Sequence, residues 1–279
     1  MKKMLSVDDL ARDARFERIR IEDTVFDPRN LAQVDRAGNQ FRPSDPESPD
    51  AARALMHGIF VGEIQALEGA GRTCHDFDTG TGSDEVPFAM KLDMARQCWD
   101  EARHCEISAK LGDWMGTEIG EFAEGTILFE SACNADPVLR LAGVNRALEG
   151  LAIDVFNTMK EFGDASGDPI LEFCEDWMLA DEVTHVKMGS DWLRRITADD
   201  PERRKNALEF QRIVDKLFSG GGFRGEDKED PIHLARQFRA MAGFDTDEID
   251  AIAEDSRQVK EETRRRREAA VAAASNEGA

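Results

Sequence analysis

The sequence Asp-Glu-x-x-His occurs twice in this chain, as Asp100-Glu101-Ala102-Arg103-His104 and as Asp181-Glu182-Val183-Thr184-His185. Both copies lie within long stretches whose apolar spacing predicts α-helix. Residues three positions apart are neighbours on one face of a helix, so each copy presents a carboxylate and an imidazole to the same point. The chain is therefore expected to contain two long helices that each carry a pair of potential metal ligands.

Four long helices are predicted between residues 48 and 199. The first begins at Ser48-Pro49 and runs to about Cys74; the second follows a loop with Ser83 as a candidate N-cap and runs to about Leu111. The third and fourth each begin at an Asp-Pro pair, at 136–137 and 168–169. The connection between the second and third helices is much longer than the other two connections. This length predicts that the second and third helices run in the same direction.

The predicted fold class is all-α. Residues 1–47 are expected to form an N-terminal arm, residues 48–199 a four-helix bundle, and residues 200–279 a helical extension packed on the bundle. A short helix is predicted at Thr126–Cys133, within the long connection. The extension is predicted to contain helices at Pro201–Phe218, at Pro231–Ala242 and from Thr246 to about Ala274.

The first and third predicted helices each carry a glutamate among apolar neighbours, Glu63 and Glu149. An unpaired carboxylate is costly to bury, and a metal ion would remove that cost by coordinating the charge. Together with the two motifs, these residues supply four carboxylates and two imidazoles, which suit iron or manganese better than structural zinc. The predicted ligands are Glu63, Glu101, His104, Glu149, Glu182 and His185. The competing interpretation is that they are surface acids and hydrogen-bonded histidines on amphipathic helices.

Three further acids are candidates for supporting the site. Glu68 lies about 140° around the first helix from Glu63, which makes it a candidate pocket carboxylate more than a ligand. A metal-bound histidine usually donates its free ring N–H to a carboxylate or carbonyl. Asp100 and Asp181 each precede a predicted ligand by one residue, about 100° around the helix, and can point across to the other motif. Crossed pairs are therefore predicted, in which Asp181 accepts from His104 and Asp100 from His185.

Residues 50–196 resemble the ferritin-like superfamily of di-iron carboxylate proteins. The segment Gly62–Ala66 is similar to the first-helix ligand segment of rubrerythrins and ferritins, and Met94–His104 resembles the second helix of bacterial di-iron oxygenases. Asp181–Val186 is similar to the last bundle helix of a bacterial ferritin-like family of mostly unassigned function, near the tRNA-hydroxylase type. The resemblance implies a ferritin-like four-helix bundle with one long crossover. It also implies a site for two iron ions, with manganese or a mixed pair as alternatives, and O₂ as co-substrate.

The chain contains no tyrosine, which argues against a radical generator of the ribonucleotide-reductase small-subunit kind, apart from metal-radical variants that need no tyrosine at the site. We therefore expect a non-haem di-iron oxygenase or oxidase that hydroxylates, N-oxygenates, desaturates or cleaves a small organic substrate. The extra C-terminal residues favour a covered pocket over the compact bundle of a storage protein. A ferroxidase or peroxide-scavenging protein and a non-catalytic metal-binding bundle remain as alternatives.

Charge and cysteine usage set the expected partners and location. The formal net charge of −21 disfavours nucleic acid and anionic membranes, since both bind through cationic surfaces. This argues against carrying over a nucleic-acid substrate from the tRNA-hydroxylase resemblance. Five cysteines without paired spacing and the lack of a signal-peptide pattern indicate the cytoplasm. The expected partners are a small-molecule substrate and an external electron donor, a reductase or ferredoxin, and a homodimer is left open.

Overall fold

The structure is a computed structural model that describes residues 16–17, 49–122, 124–220, 222–227 and 230–277. Within these ranges the chain is predominantly helical, and the predicted all-α class is confirmed at that level. Two short parallel strand pairs are also present there: β1 (Phe16–Glu17) with β2 (Glu124–Gly125), and β3 (Arg224–Gly225) with β4 (Ile232–His233). Apart from residues 16–17, the predicted N-terminal arm lies outside the described residues.

Most of the described residues up to 196 lie in helices. In chain order, the elements are α1 (Pro49–Asp76), α2 (Phe88–Met115), α3 (Ile127–Ala132), α4 (Pro137–Arg140), a π-helix (Leu141–Leu148), α5 (Glu149–Ser166) and α6 (Pro169–Ile196). The closest-packed pairs are α1 with α2 and α5 with α6. The four predicted helices and the short helix in the long connection are therefore all present.

The Asp-Pro pairs begin helices as predicted. Asp136 and Asp168 each accept hydrogen bonds from two backbone N–H groups of the first turn, and each is followed by proline, which suits that turn. The predicted N-cap of α2 is wrong, because the helix begins after Pro87 without a side-chain cap, and Ser83 lies in the preceding loop. That loop is held instead by the Glu85 carboxylate, which accepts hydrogen bonds from the backbone N–H groups of residues 81 and 82.

Contacts between helix ends establish the helix directions. Arg140, at the end of α4, donates to Asp76 at the end of α1 over 3.1 Å. Trp114, near the end of α2, donates to Asp168 at the start of α6 over 2.9 Å. Because the α1–α2 and α5–α6 connections are short, the column formed by α4, the π-helix and α5 runs parallel to α2. The long connection between α2 and α4 therefore joins two columns that run in the same direction.

The third column contains a π-helix that the sequence pattern did not indicate. The π-helix is packed closely on two sides, and a glycine stands at each contact. A Cβ at Gly143 would lie 2.2 Å from the carbonyl oxygen of Ala132 in α3, and a Cβ at Gly189 in α6 would lie 2.3 Å from the Cβ of Asn145. The wider helix therefore fits tightly between α3 and α6, and it ends directly before Glu149.

The C-terminal part packs on the third column and on α6. It contains α7 (Pro201–Phe218), α8 (Arg236–Met241) and α9 (Thr246–Glu277). The helix α7 packs against α4 and the π-helix, and α8 packs against α5, α6 and α9. The predicted helix at Pro231–Ala242 is wrong in its first half, because Ile232 and His233 form β4, where the N–H of Ile232 donates to the carbonyl of Phe223, and α8 begins only at Arg236.

A buried ionic cluster fixes this C-terminal part to α5. Arg239 donates from Nε and Nη2 to the two carboxylate oxygens of Asp154, over 3.0 and 2.7 Å. Arg224 Nη1 lies 3.6 Å from Asp154 and 3.5 Å from Asp215. All four side chains are essentially inaccessible to water.

Among the described helices, none combines the length and apolarity that a membrane crossing requires.

Candidate metal centre

The six predicted ligands converge in the interior of the four long columns. Glu63 lies on α1, Glu149 begins α5, and the two motifs lie on α2 and α6. All six are buried: Glu63 is 4% exposed, and the other five are fully inaccessible. The interpretation that the four glutamates are surface acids is therefore wrong.

One half of the cluster forms around His104. Its Nδ1 atom lies 3.0 Å from Glu63 Oε2 and 3.1 Å from Glu101 Oε2. Glu182 approaches the same nitrogen from α6, with its Oε1 atom at 3.2 Å. Potential ligand atoms from α1, α2 and α6 thus surround a single point.

The other half forms around His185 in the same way. Its Nδ1 atom lies 3.0 Å from Glu101 Oε1, 3.6 Å from Glu182 Oε1 and 4.0 Å from Glu149 Oε2. Each half therefore has one histidine and one glutamate of its own, while Glu101 and Glu182 belong to both. The His104 group consists of Glu63, Glu101, His104 and Glu182, and the His185 group of Glu101, Glu149, Glu182 and His185. Within each group, the potential ligand atoms all lie within 4.8 Å of one another. Each group could hold a cation, and Glu101 and Glu182 would contribute ligand atoms to both.

Several polar atoms at this centre are buried without a hydrogen-bond partner among the described residues. They are Glu101 Oε1, Glu149 Oε2, both carboxylate oxygens of Glu182, and His185 Nδ1. Buried polar groups are normally paired, and leaving one unpaired costs about 1–3 kcal/mol. Two divalent cations would use these lone pairs and balance the four carboxylate charges, so the residues fit a metal pair.

Burial also sets the protonation of the metal-free cluster. It raises the pKa of Glu63 to about 8, with partial relief from the hydrogen bond to His104. It raises the pKa of Glu149 as well, with added repulsion from neighbouring carboxylates. Burial lowers the pKa of His104, but hydrogen bonds to carboxylates, Asp181 first among them, outweigh it and raise that pKa. The metal-free centre therefore retains protons, and metal binding should release them.

The crossed aspartate–histidine contacts predicted from the sequence are present. His104 Nε2 lies 3.3 Å from Asp181 Oδ2, and His185 Nε2 lies 3.2 Å from Asp100 Oδ2. In both histidines, Nε2 faces an aspartate while Nδ1 faces the glutamate cluster. Arg103 joins the pairs from outside, because its Nη2 donates to Asp100 and, over 3.3 Å, to Asp181.

Gln97 is a supporting residue that sequence reasoning missed. Its Nε2 donates to Glu149 Oε1 over 2.5 Å, and its Oε1 accepts from Asn145 Nδ2 in the π-helix over 2.6 Å. These two hydrogen bonds orient Glu149 from α2 and from the π-helix. The position of Gln97 one turn before Glu101 is the signal that could have identified it.

Glu68 does not take part in the site, and its prediction as a pocket carboxylate is wrong. Its side chain is exposed to water, whereas Glu63 is buried. The physical reason is the rotation of about 140° between these positions, which turns Glu68 away from the interior.

Glu175 is a buried acid that sequence reasoning also missed. It lies on α6 two turns before Glu182 and therefore on the same face. Both carboxylate oxygens are buried without a hydrogen-bond partner among the described residues. Burial raises its pKa well above the usual range, with further repulsion from Glu63. The side chain is thus favoured in its neutral, protonated form.

We expect Glu175→Gln to stabilise the metal-free protein increasingly as pH rises. Because the pKa of Glu175 is higher in the folded than in the unfolded chain, the wild type loses stability as pH rises from the unfolded value near 4.5. Glutamine has the same shape and does not titrate. Urea unfolding between pH 4.5 and 8.5 measures the difference in free energy. Glu172→Gln, at a partly exposed position, is the control, and an unchanged pH slope in Glu175→Gln would contradict the prediction.

Comparison with known proteins identifies one family. A family model described as "Protein of unknown function (DUF455)" matches residues 1–250 of the chain. No curated protein and no solved structure matches the chain.

Proposed function

We propose that this chain, which belongs to the DUF455 family of proteins of unknown function, binds two iron ions at its buried centre. There it would use O₂ to oxidise a small organic substrate. The observation that carries this proposal is the sharing of Glu101 and Glu182 between the His104 and His185 groups. Oxygen-rich sets with one imidazole per ion suit iron or manganese. An iron pair in such a setting supplies activation of O₂.

The helix arrangement supports a ferritin-like four-helix bundle as the architecture of this centre. In such proteins, two helices each give one glutamate and two others each give a Glu-x-x-His pair. Here Glu63 and Glu149 take the first role, and the two motifs on α2 and α6 take the second. The parallel second and third columns agree with the single long crossover of that fold.

The protein's own side chains would orient the ligands and exclude water. Asp100 and Asp181 hold the two imidazoles with Nδ1 directed at the glutamates, which leaves the Nε2 proton on the aspartate side. Gln97 fixes one oxygen of Glu149. Glu175 holds a proton on its carboxyl group at the side of the centre where Glu63 and His104 lie.

The electron donor and the substrate are proposed on chemical grounds. Oxygenation with O₂ requires electrons from outside the protein, which a reductase or ferredoxin would supply. The charge of −21 argues for a small molecule over a nucleic acid as the substrate.

Anaerobic loading with Fe(II), followed by mixing with O₂ in stopped flow, tests the proposal. We expect each chain to bind two Fe(II) ions. The amount of O₂ consumed should depend on the fraction of chains that hold iron. Candidate substrates should accelerate the decay of the transient absorbance. Mineral growth at a high iron-to-protein ratio would favour a ferroxidase instead, and iron binding without O₂ consumption would favour a non-catalytic metal-binding bundle.

We expect Asp181→Ala to lower metal affinity about tenfold to a hundredfold while the fold is retained. The reason is that His104 loses the carboxylate that fixes its tautomer and orientation, and such losses typically have this size. A Co(II) titration followed by absorbance measures the affinity. Asp176→Ala, an exposed acid on the same helix, is the matched control. Equal affinity of the two variants would contradict the assigned role of Asp181.

A further inference from the structure

A cavity of about 560 Å³ opens where the end of α1 meets α4. Its lining includes one arginine from each of these helices, Arg72 and Arg140, and acids of the loop between α1 and α2. Arg72 follows Glu63 by nine residues, about 13.5 Å along α1, so the cavity is separate from the candidate metal centre. A cavity of this volume accommodates a small molecule.

The two arginines of the cavity share one carboxylate. Arg72 Nε donates to Asp76 Oδ2 over 3.0 Å, and Arg140 Nη2 donates to the same oxygen over 3.1 Å. Because both hydrogen bonds end on one atom, the two guanidinium groups lie close to each other. Two positive charges stand against one negative charge, which leaves an excess of one positive charge on this side of the cavity.

Arg140 is buried and retains an unused hydrogen-bond donor. Its side chain is 3% exposed, its Nε donates to the carbonyl of Asn134 over 2.5 Å, and its guanidinium group lies over the Phe77 ring. Its Nη1 atom has no hydrogen-bond partner among the described residues. A buried charged donor without an acceptor is costly, and an anion in the cavity would reduce that cost.

The loop between α1 and α2 places carboxylates at the same cavity. Glu85 is engaged within the loop, since it accepts hydrogen bonds from the backbone N–H groups of residues 81 and 82. Asp78 and Asp84 are exposed, and neither has an ion-pair partner among the described residues. The cavity therefore combines one excess positive charge on the arginine side with two unpaired carboxylates on the loop side.

We propose that this cavity binds a small zwitterion with a carboxylate at one end and an ammonium group at the other. The carboxylate would accept hydrogen bonds from the guanidinium groups of Arg72 and Arg140. The ammonium group would pair with Asp78 and Asp84. A simple anion would be repelled by the loop acids and a simple amine by the arginines, so the zwitterion is favoured over both. This inference does not depend on the proposed metal function.

Isothermal titration calorimetry of the metal-free, full-length protein at neutral pH tests this inference with three ligands of similar size. 4-Aminobutyrate carries both charges, pentanoate has a methyl group in place of its ammonium group, and 4-aminobutanamide has an amide in place of its carboxylate. We expect 4-aminobutyrate to bind at least about fivefold more tightly than either analogue, because each analogue loses one of the two ion pairs. Equal affinity of the three ligands, or no binding of 4-aminobutyrate at about 10 mM, would overturn the proposal.

Three variants locate the binding site. Arg72→Gln removes the more exposed of the two guanidinium groups and should weaken 4-aminobutyrate binding about tenfold. Asp78→Asn combined with Asp84→Asn should abolish the preference for 4-aminobutyrate over pentanoate, which a general loss of structure would not do selectively. Arg257→Gln, at an exposed position of α9, is the matched control and should bind as the wild type does. If Arg72→Gln and Arg257→Gln bound 4-aminobutyrate equally, the assignment of the cavity would be wrong.

Discussion

Replacing Glu101 with alanine should abolish binding of both metal ions. One oxygen of this carboxylate lies 3.1 Å from His104 Nδ1 and the other lies 3.0 Å from His185 Nδ1, so a single side chain serves both halves. Its loss would also leave three carboxylates for two divalent cations. Equilibrium dialysis against Fe(II) or Mn(II), followed by elemental analysis, measures the metal content per chain. We expect fewer than one ion in ten to be retained, with helical content unchanged by circular dichroism.

Variants at the unshared positions provide the comparison. Glu63 lies only in the His104 group and Glu149 only in the His185 group. Alanine at either position should therefore remove one ion and leave the other. Glu68→Ala, one of the exposed acids of α1, should retain both. If Glu101→Ala retained two ions, or behaved like Glu63→Ala, the shared-carboxylate arrangement would be wrong.

The ligand cluster could be predicted because its geometry is local to each helix. The spacing of Glu101 and His104 places both side chains on one face wherever the helix goes, and the same holds for Glu182 and His185. The crossed contacts of Asp100 follow from a rotation of one residue and from the repetition of the motif. Nothing in these steps requires knowledge of distant packing.

The contacts of Gln97 and Asn145 and the enclosure of Glu175 could not be predicted, because they depend on tertiary packing. Gln97 reaches Glu149 only because α2 and the third column lie side by side, and Asn145 reaches Gln97 from a π-helix. A 3.6-residue pattern does not distinguish a π-helix from an α-helix. Glu175 resembles a surface acid in the sequence, and only the assembled interior shows that it is enclosed.

The C-terminal part shows the same limit at the level of the fold. Apolar spacing over Pro231–Ala242 favoured a helix, yet its start pairs with residues 223–225 as a strand. His233 N–H donates to Thr158 Oγ1 and Ala235 N–H donates to Asp154 Oδ1, both on α5. Tertiary hydrogen bonds thus override the local preference of this segment.

Asp154 should therefore be a large contributor to the stability of the fold, and we expect Asp154→Ala to lower the free energy of unfolding by about 3–5 kcal/mol. Its carboxylate pairs with Arg239 over 2.7 Å, lies 3.6 Å from Arg224, and accepts the N–H of Ala235. Without it, Arg239 would lose its ion pair, and Arg224 would keep Asp215, at 3.5 Å, as its ion-pair partner among the described residues. Breaking one side of a buried ion pair is costly because the remaining charge is left without compensation.

Urea unfolding of the metal-free protein measures this effect. Asp250→Ala is the matched control, because Asp250 pairs with Arg236 at the surface, where such pairs contribute at most about 1 kcal/mol. Replacing both partners, in Asp154→Ala with Arg239→Met, should recover part of the loss, since it removes one uncompensated charge. A loss below about 1 kcal/mol in Asp154→Ala would show that water reaches the cluster and that the C-terminal part is not fixed to α5 in this way.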